Sequence, residues 1–281
     1  MSSEWQKYEN EVYEECCRIY GEENVEKNVT RAGVSSRVAR QIDVLVHTDE
    51  GDIAFDAKHY SKHVDVKMIE SMIGMYGDLG VEKFVVVTNN GYSRAALRRA
   101  HLGKDNVEAD VLSLGELKRM QGYFAIPYAE KYAVTLSALF AWIVDAETSI
   151  HPDTPTILYR TGITLRDAVI EKEFAYLHFW IKERDEVNTI EQLAEHLKGE
   201  CIEADPNGKW SVLEEQPYLM TRCIHSKSTV VEYFGYKDFD EFMIYIALYC
   251  EEEKWERNRH KLGYMLEHAL PMYMSKDDNP D

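Results

Sequence analysis

The segment QIDVLVHTDEGDIAFDAK, residues 41–58, decides the fold of the first part of this chain. Two apolar runs flank the turn-prone TDEGD, and this pattern predicts two strands joined as a hairpin. Side chains two apart in a strand share a face, so Asp56 and Lys58 project together, away from Phe55. If the two strands pair as a hairpin, Asp43 on the first strand approaches Asp56 on the second.

Two acids and a lysine at this place indicate a metal site. Carboxylates brought together in a partly buried site repel each other unless a proton or a cation intervenes. Mg²⁺ binds a few carboxylate oxygens together with waters and phosphate oxygens, and it can polarise a phosphodiester and activate water. Lys58 would orient or help deprotonate that water and offset charge on the phosphate. We therefore expect Asp43, Asp56 and Lys58 to be catalytic, with Asp43 and Asp56 as ligands of Mg²⁺ or Mn²⁺.

The surrounding sequence predicts further helices and strands of the same domain. Apolar residues at three- and four-residue steps over residues 3–20 predict an amphipathic helix that ends before Gly21. The run NVEKNVT predicts a strand, residues 64–79 a helix, KFVVVT a buried strand, RAALRRA a helix capped by Ser93, VEADVLSL a strand and GELKRM a closing helix. This order predicts a mixed sheet with helices on both faces.

After QGYFAIPYAE the sequence changes to long, aromatic-rich patterns that we interpret as helices, with one hairpin around CIEADPNGKWSVLE. We place a domain boundary near Tyr123, which gives domains at 1–123 and 124–281. The expected fold class is α/β, or mixed α+β, followed by a mainly helical acidic domain. The helix TIEQLAEHLKGE also fits a winged helix, but its acidic surroundings favour a role in interaction, regulation or oligomerisation.

Composition excludes some functions and leaves others open. The net charge of −18 opposes binding to nucleic acid, yet residues 27–120 hold 13 acids and 14 bases, whereas residues 121–281 hold 29 acids and 16 bases. No apolar stretch reaches the roughly 20 residues needed to span a bilayer. The N-terminus lacks the pattern of a secretory signal, and the five cysteines form no CxxC pair. We expect a cytoplasmic protein without a disulfide framework.

Asp43 followed by DAK at residues 56–58 resembles the PD-(D/E)XK nuclease superfamily. The order of RQIDVLV, DIAFDAKHY, VDVKMIESMIGMYGDLG and KFVVVTNNGYSRAALRRA is similar to that of Mrr-like restriction endonuclease domains, over residues 5 to about 120. Two positions depart from the family pattern. Asp56 stands where many of these domains have glutamate or glutamine, and Ile42 stands where the superfamily's name has proline. The resemblance implies a restriction-endonuclease-like core.

The resemblance also implies a third acid, because an acid on the first helix often supports the metal site in this family. Glu9 in KYENEVYEE matches the aromatic-Glu-x-x-Val pattern. A solvated helix face is the alternative, since four glutamates lie close together there.

Several basic and polar residues form a candidate nucleic-acid-binding surface. Arg94 and Arg98 lie one helical turn apart, and the helix start at Ser93 offers N–H donors to phosphate. Gln41 shares the face of Asp43, and Lys62 follows the catalytic strand. The candidates named for phosphate binding also include Lys67, Arg99 and Lys104. The alternative is a solvated basic helix.

These observations predict a metal-dependent nuclease that hydrolyses phosphodiester bonds, with DNA as the expected substrate. The resemblance implies a role in restriction of foreign DNA. The alternative is a catalytically inactive nuclease-fold module that binds nucleic acid or protein in a larger assembly. We expect a nucleic-acid partner, no membrane, and a homodimer or partner-protein contact through residues 124–281.

Overall fold

The structure, a computed structural model, describes residues 4–102, 107–129, 131–137, 139–145, 154 and 156–273, without the side chain of residue 185. The chain divides into two compact units, Met1–Gly122 and Tyr123–Asp281. We call them the N-terminal and C-terminal domains and describe each by itself. Within the described ranges, no helix combines the length and the apolar character needed to cross a membrane.

The N-terminal domain contains the predicted helices and strands in the predicted order. They are α1 (Glu4–Tyr20), β1 (Val25–Ala32), β2 (Ala39–Thr48), β3 (Gly51–Lys58), α2 (Val66–Asp78), β4 (Lys83–Thr88), α3 (Arg94–His101), β5 (Glu108–Ser113) and α4 (Leu114–Arg119). The strands form one sheet in the order β1-β2-β3-β4-β5. Strands β1, β2 and β3 pair antiparallel, whereas β3, β4 and β5 pair parallel, so the sheet is mixed.

The sheet of this domain is covered on both faces. On one face, the ring of Tyr20 in α1 lies 6.0 Å from the ring of Phe55. On the other face, the hydroxyl of Tyr76 in α2 donates to the next residue of β3, Asp56. Adjacent strand residues point to opposite faces, so α1 and α2 cover opposite sides of β3. Strand β4 lies between β3 and β5, which explains its nearly continuous apolar sequence.

The prediction of a mainly helical C-terminal domain is wrong. Its described residues contain ten strands and only four α-helices. The strands are β6 (Tyr123–Tyr128), β7 (Tyr132–Ser137), β8 (Trp142–Asp145), β9 (Thr156–Arg160), β10 (Phe174–Ile181), β11 (Lys209–Glu214), β12 (Met220–Ile224), β13 (Val230–Phe239), β14 (Phe242–Glu251) and β15 (Leu270–Tyr273). The helices are α5 (Leu165–Glu171), α6 (Lys182–Asp185), α7 (Ile190–Ala204) and α8 (Trp255–His268). The strands form a seven-stranded antiparallel sheet, β11-β12-β13-β14-β10-β9-β8, and a three-stranded sheet, β15-β7-β6.

Burial on both faces of the large sheet explains why the helical interpretation failed. Strand β14 supplies Ile244 and Ile246 to one apolar core, and Met243 and Tyr245 to a second core. A strand that is apolar on both sides shows no alternation, and its sequence resembles that of a buried helix. The predicted hairpin around residue 205 is also wrong, because α7 ends there and β11 pairs with β12 instead.

A buried ionic cluster lies within the C-terminal domain. The carboxylate of Glu173 accepts a hydrogen bond from Asn258 (3.0 Å) and pairs with Arg257. Burial alone would raise the pKa of Glu173, but Arg160 and Arg257 outweigh it and lower the pKa to about 2. Such a cluster is costly to break, because each charge depends on its partners.

Candidate active site

The β2–β3 hairpin brings Asp43 and Asp56 together. Val44 pairs with Phe55 in the antiparallel register, so Asp43 and Asp56 lie one step further along on the opposite face. The carboxylate of Asp43 accepts a hydrogen bond from the backbone N–H of Ala57 (2.9 Å), which fixes it beside the end of β3. Asp56 is only 5% exposed. The two acids therefore meet at a partly buried place, as the spacing of the strands predicts.

Lys58 contacts the same carboxylate. Its ammonium group forms a close ion pair with Oδ1 of Asp56. Burial alone would lower the pKa of Lys58, but the charge of Asp56 and its hydrogen bond outweigh burial and raise the pKa. Lys58 is therefore an ammonium ion at neutral pH, and it also lies 6.0 Å from the ring centre of Tyr60. Its role in this geometry is electrostatic, because a protonated amine cannot accept a proton.

Glu9 of α1 completes a group of three acids. It is 4% exposed, and its Oε1 has no hydrogen-bond partner among the residues that the structure describes. Burial and the neighbouring charge of Asp43 raise the pKa of Glu9 to about 7. The pKa of Asp43 is raised by burial and by the charge of Asp56, against the lowering effect of the Ala57 N–H. Both shifts are typical of buried carboxylates that lie close to one another.

Tyr76 is a site residue that the sequence interpretation did not identify. Its ring is fully buried and stacks on Phe84, with centroids 4.7 Å apart, and its hydroxyl donates to Oδ2 of Asp56 (3.2 Å). Asp56 is thus held at one oxygen by Tyr76 and at the other by Lys58. The signal was present in the sequence: Tyr76 lies seven residues after Ile69 on the buried face of α2, and a buried tyrosine needs a partner for its hydroxyl.

The turn after β4 lies at the same edge of the sheet as Lys58. The side chain of Asn89 accepts a hydrogen bond from the Tyr60 N–H (2.9 Å), and the Ser93 N–H donates to the carbonyl of Val64 (3.0 Å). Ser93 caps α3, and its hydroxyl oxygen accepts from the Ala96 N–H (3.1 Å). The N-terminus of α3 is therefore attached to the segment that follows β3.

The other predicted nucleic-acid-binding residues lie on the surface. Gln41, Lys62, Arg94 and Arg98 are all exposed. The amide of Gln41 donates to Asn28 (2.8 Å). Arg99 differs from them because it pairs with Glu70 at 3.5 Å. Lys104 lies outside the described residues. These positions agree with a solvent-facing role, and contact with nucleic acid remains a prediction.

The acids fit a divalent metal by their chemistry. In the part of the chain that the structure describes, no group of three or more His, Cys, Asp and Glu side chains is arranged so that it could hold a metal ion. Mg²⁺ does not require such a group, because one or two carboxylates with waters and phosphate oxygens satisfy it. Asp43 and Asp56 provide two carboxylates. The buried Oε1 of Glu9, which has no hydrogen-bond partner among the described residues, leaves one carboxylate oxygen beside them unsatisfied.

Residues 5–120 match the Mrr_cat family, described as restriction endonuclease. The match confirms the resemblance to Mrr-like domains over the residues for which it was predicted. It supports a function within the nuclease family for the N-terminal domain, and it does not extend into the C-terminal domain.

No curated protein matches the chain. Solved structures with some likeness include a protein of unknown function, at 16% identity and a TM-score of 0.32, covering 42% of this chain and 70% of that chain. A cyanobacterial PsbP from Synechocystis sp. PCC 6803 is similar at 9% identity and a TM-score of 0.35, covering 54% of this chain and 93% of that chain. LpqN of Mycobacterium tuberculosis, involved in cell envelope biogenesis, is similar at 9% identity and a TM-score of 0.35, covering 53% of this chain and 90% of that chain.

Proposed function

We propose that the protein is a metal-dependent endonuclease that hydrolyses phosphodiester bonds in DNA and acts in restriction of foreign DNA. The observation that carries the proposal is the convergence of Asp43, Asp56 and Lys58 at one end of the β2–β3 hairpin, with Glu9 beside them. A module used only for binding gains nothing from three buried or half-buried acids, of which Glu9 and Asp43 have raised pKa values because of burial and of a neighbouring carboxylate.

Asp43 and Asp56 are the proposed ligands of Mg²⁺ or Mn²⁺, and Glu9 supports them. When bound, the metal would polarise the phosphodiester and lower the pKa of a bound water. The chain supplies the rest of the chemistry. Tyr76 holds the Asp56 carboxylate in a fixed orientation, and Lys58 places a positive charge next to it. Oδ1 of Asp56 can serve as a ligand only after Lys58 turns away from it.

Lys58 is the proposed electrostatic partner of the phosphate. In hydrolysis a water oxygen bonds to phosphorus, the ester P–O bond breaks, and negative charge develops on the phosphate oxygens. Once Lys58 has turned from Asp56 toward the phosphate, its ammonium group stabilises that charge. The raised pKa of Lys58 favours this role over that of a general base.

The test is a cleavage assay on plasmid DNA, single-stranded DNA and RNA with Mg²⁺ or Mn²⁺. We expect wild-type protein to cut DNA, Asp56→Asn to fail, and Lys58→Met to cut more slowly by about 10²–10³. The C-terminal domain offers a matched control, because Lys182 and Asp238 form an ion pair of the same type (2.6 Å). Lys182→Met and Asp238→Asn should cut at the wild-type rate.

The assay also decides between the two classes of function. Cleavage by all variants alike would indicate a contaminating nuclease. Stable binding of DNA by wild-type protein without any cleavage would favour the inactive nuclease-fold module. Cleavage of RNA in preference to DNA would support a nuclease activity but refute DNA as the substrate.

A further inference from the structure

The hairpin of β1 and β2 carries a basic surface that the proposed catalytic site does not use. Residues 27–42 contain four cations and no acid, in a chain whose net charge is −18. Pairing of β2 with β3 begins at Val44, whereas its pairing with β1 continues to Ala39. Residues 28–42, which we call the β-arm, therefore form a two-stranded ribbon beyond the last residue pair of β2 and β3.

Two anchors give the β-arm a fixed conformation. Arg31 donates to Asp52 of β3 (2.6 Å), and Asp78 at the end of α2 accepts hydrogen bonds from the N–H groups of Ser35 and Ser36 (both 3.0 Å) and from the Ser36 hydroxyl. A Cβ atom at Gly33 would collide with the Asp78 carboxylate, so the close approach requires glycine. A two-stranded hairpin alone has marginal stability in water, and these contacts add the stability that an isolated ribbon would lack.

The anchored loop presents side chains to solvent instead of a core. Val34 is 62% exposed and Val38 is 49% exposed. Arg37 and Arg40 are exposed as well, and neither forms a salt bridge with a residue that the structure describes. The loop and the start of β2 thus expose two valines and two arginines; among the described residues, Arg37 has no salt bridge and Arg40 has only a longer-range attraction to Asp78. This is the composition of a binding surface for an anionic partner.

The β-arm is continuous with the proposed catalytic site. Asp43 follows the β-arm directly in β2, and Gln41 within it donates to Asn28 on the facing strand. Arg40 lies three residues before Asp43 in β2, a distance of about 10 Å along the strand. A two-stranded ribbon has the width that the major groove of a duplex admits, and arginine pairs with phosphate through two parallel hydrogen bonds.

We propose that the β-arm is a duplex-binding element, in which Arg37 and Arg40 contact phosphates of the nucleic acid that is cut at Asp43 and Asp56. This inference rests on the proposed nuclease function and adds a surface that the resemblance does not supply. Arg31 contributes less, because Asp52 already pairs with it. Val34 and Val38 make apolar contacts to base edges or sugars.

The test measures binding without cleavage, on the full chain in EDTA with a fluorescein-labelled DNA duplex. Fluorescence anisotropy is recorded from about 50 to about 200 mM salt, because each lost phosphate contact lowers the slope of log K against log salt by about 0.9. We expect the slope of Arg37→Gln/Arg40→Gln to be smaller than that of wild type by about 1.8. The control Lys209→Gln/Lys227→Gln changes the net charge equally at exposed positions of the C-terminal domain and should leave the slope unchanged.

A second variant tests the anchored shape. Gly33→Ala keeps both arginines but displaces the Asp78 anchor, so it should weaken duplex binding without a change in net charge. Equal slopes for wild type and the arginine variant, or a wild-type chain with no affinity for duplex at the lowest salt, would overturn the inference. Binding through the β-arm without cleavage in Mg²⁺ would refute the proposed function and leave the β-arm intact. If wild-type protein cleaves DNA and Arg37→Gln/Arg40→Gln keeps the wild-type salt slope, the binding role of the β-arm is refuted and the proposed nuclease function stands.

Discussion

Tyr76→Phe removes one oxygen atom and tests whether the orientation of Asp56 matters for catalysis. The hydroxyl donates to a carboxylate oxygen at 3.2 Å, and both residues are buried. A hydrogen bond to a charged group contributes roughly 1.5–3 kcal/mol, so we expect the N-terminal domain to lose about 2 kcal/mol of stability. The phenyl ring keeps its stacking on Phe84, so no cavity adds to this loss.

The functional effect of Tyr76→Phe follows from the same contact. Loss of the donor leaves one oxygen of Asp56 free to turn, and removal of a partner that orients a metal ligand costs about 10–100-fold in metal affinity or activity. The assay is DNA cleavage as a function of Mg²⁺ concentration, with rate and half-saturating Mg²⁺ recorded separately. We expect a higher half-saturating concentration, a lower rate, or both.

Tyr159→Phe is the matched control for this experiment. Tyr159 is a buried tyrosine of the C-terminal domain whose hydroxyl donates to Asp145 (3.0 Å). Its loss should lower stability without changing the Mg²⁺ dependence of cleavage. If Tyr76→Phe also keeps the wild-type rate and Mg²⁺ dependence while its stability falls, Tyr76 is structural only and the positioning role is refuted.

Three further predictions concern charged groups. Lys58→Met should lower the cleavage rate by about 10²–10³ and leave duplex affinity in EDTA unchanged, whereas equal losses in both would indicate a binding role. The pKa of Glu9 is raised to about 7 in the fold, so its contribution to stability is present at acid pH and is lost as pH rises. In EDTA, chemical unfolding should show that the free energy of unfolding of Glu9→Gln rises by up to about 3 kcal/mol relative to that of wild type between pH 5 and pH 8. Parallel pH profiles of stability for the two proteins would contradict this. The pKa of Glu173 is lowered to about 2, so its contribution is present at neutral pH and is lost on acidification. The stability advantage of wild type over Glu173→Gln should shrink by about 3 kcal/mol between pH 5 and pH 2, and a constant advantage would refute the cluster.

The N-terminal fold was predictable because its sequence alternates clearly between element types. The β2–β3 hairpin has a short polar turn, and each helix after it begins at a capping residue: Asp65 accepts from Met68 N–H and Ser93 from Ala96 N–H. Because side chains alternate between the two faces of a strand, Asp56 and Lys58 lie on one face, and the register of the hairpin places Asp43 near them. These local rules are sufficient for the convergence of the acids.

The C-terminal fold was not predictable by the same rules, because tertiary burial replaces the local pattern. Strand β14 contributes residues to cores on both faces of its sheet, so its sequence has no polar face that marks a strand. Tyr76 escaped prediction for a related reason. Its helical position indicates burial, but which carboxylate receives its hydroxyl depends on how α2 packs on β3.

Anomalous diffraction can locate the metal in crystals that are soaked in Mn²⁺ at a concentration that supports DNA cleavage. We expect one strong peak between the carboxylates of Asp43 and Asp56, and its loss in crystals of Asp56→Asn. A Mn²⁺ peak bound by other residues, or no peak at this place while the same preparation cuts DNA, would contradict this expectation.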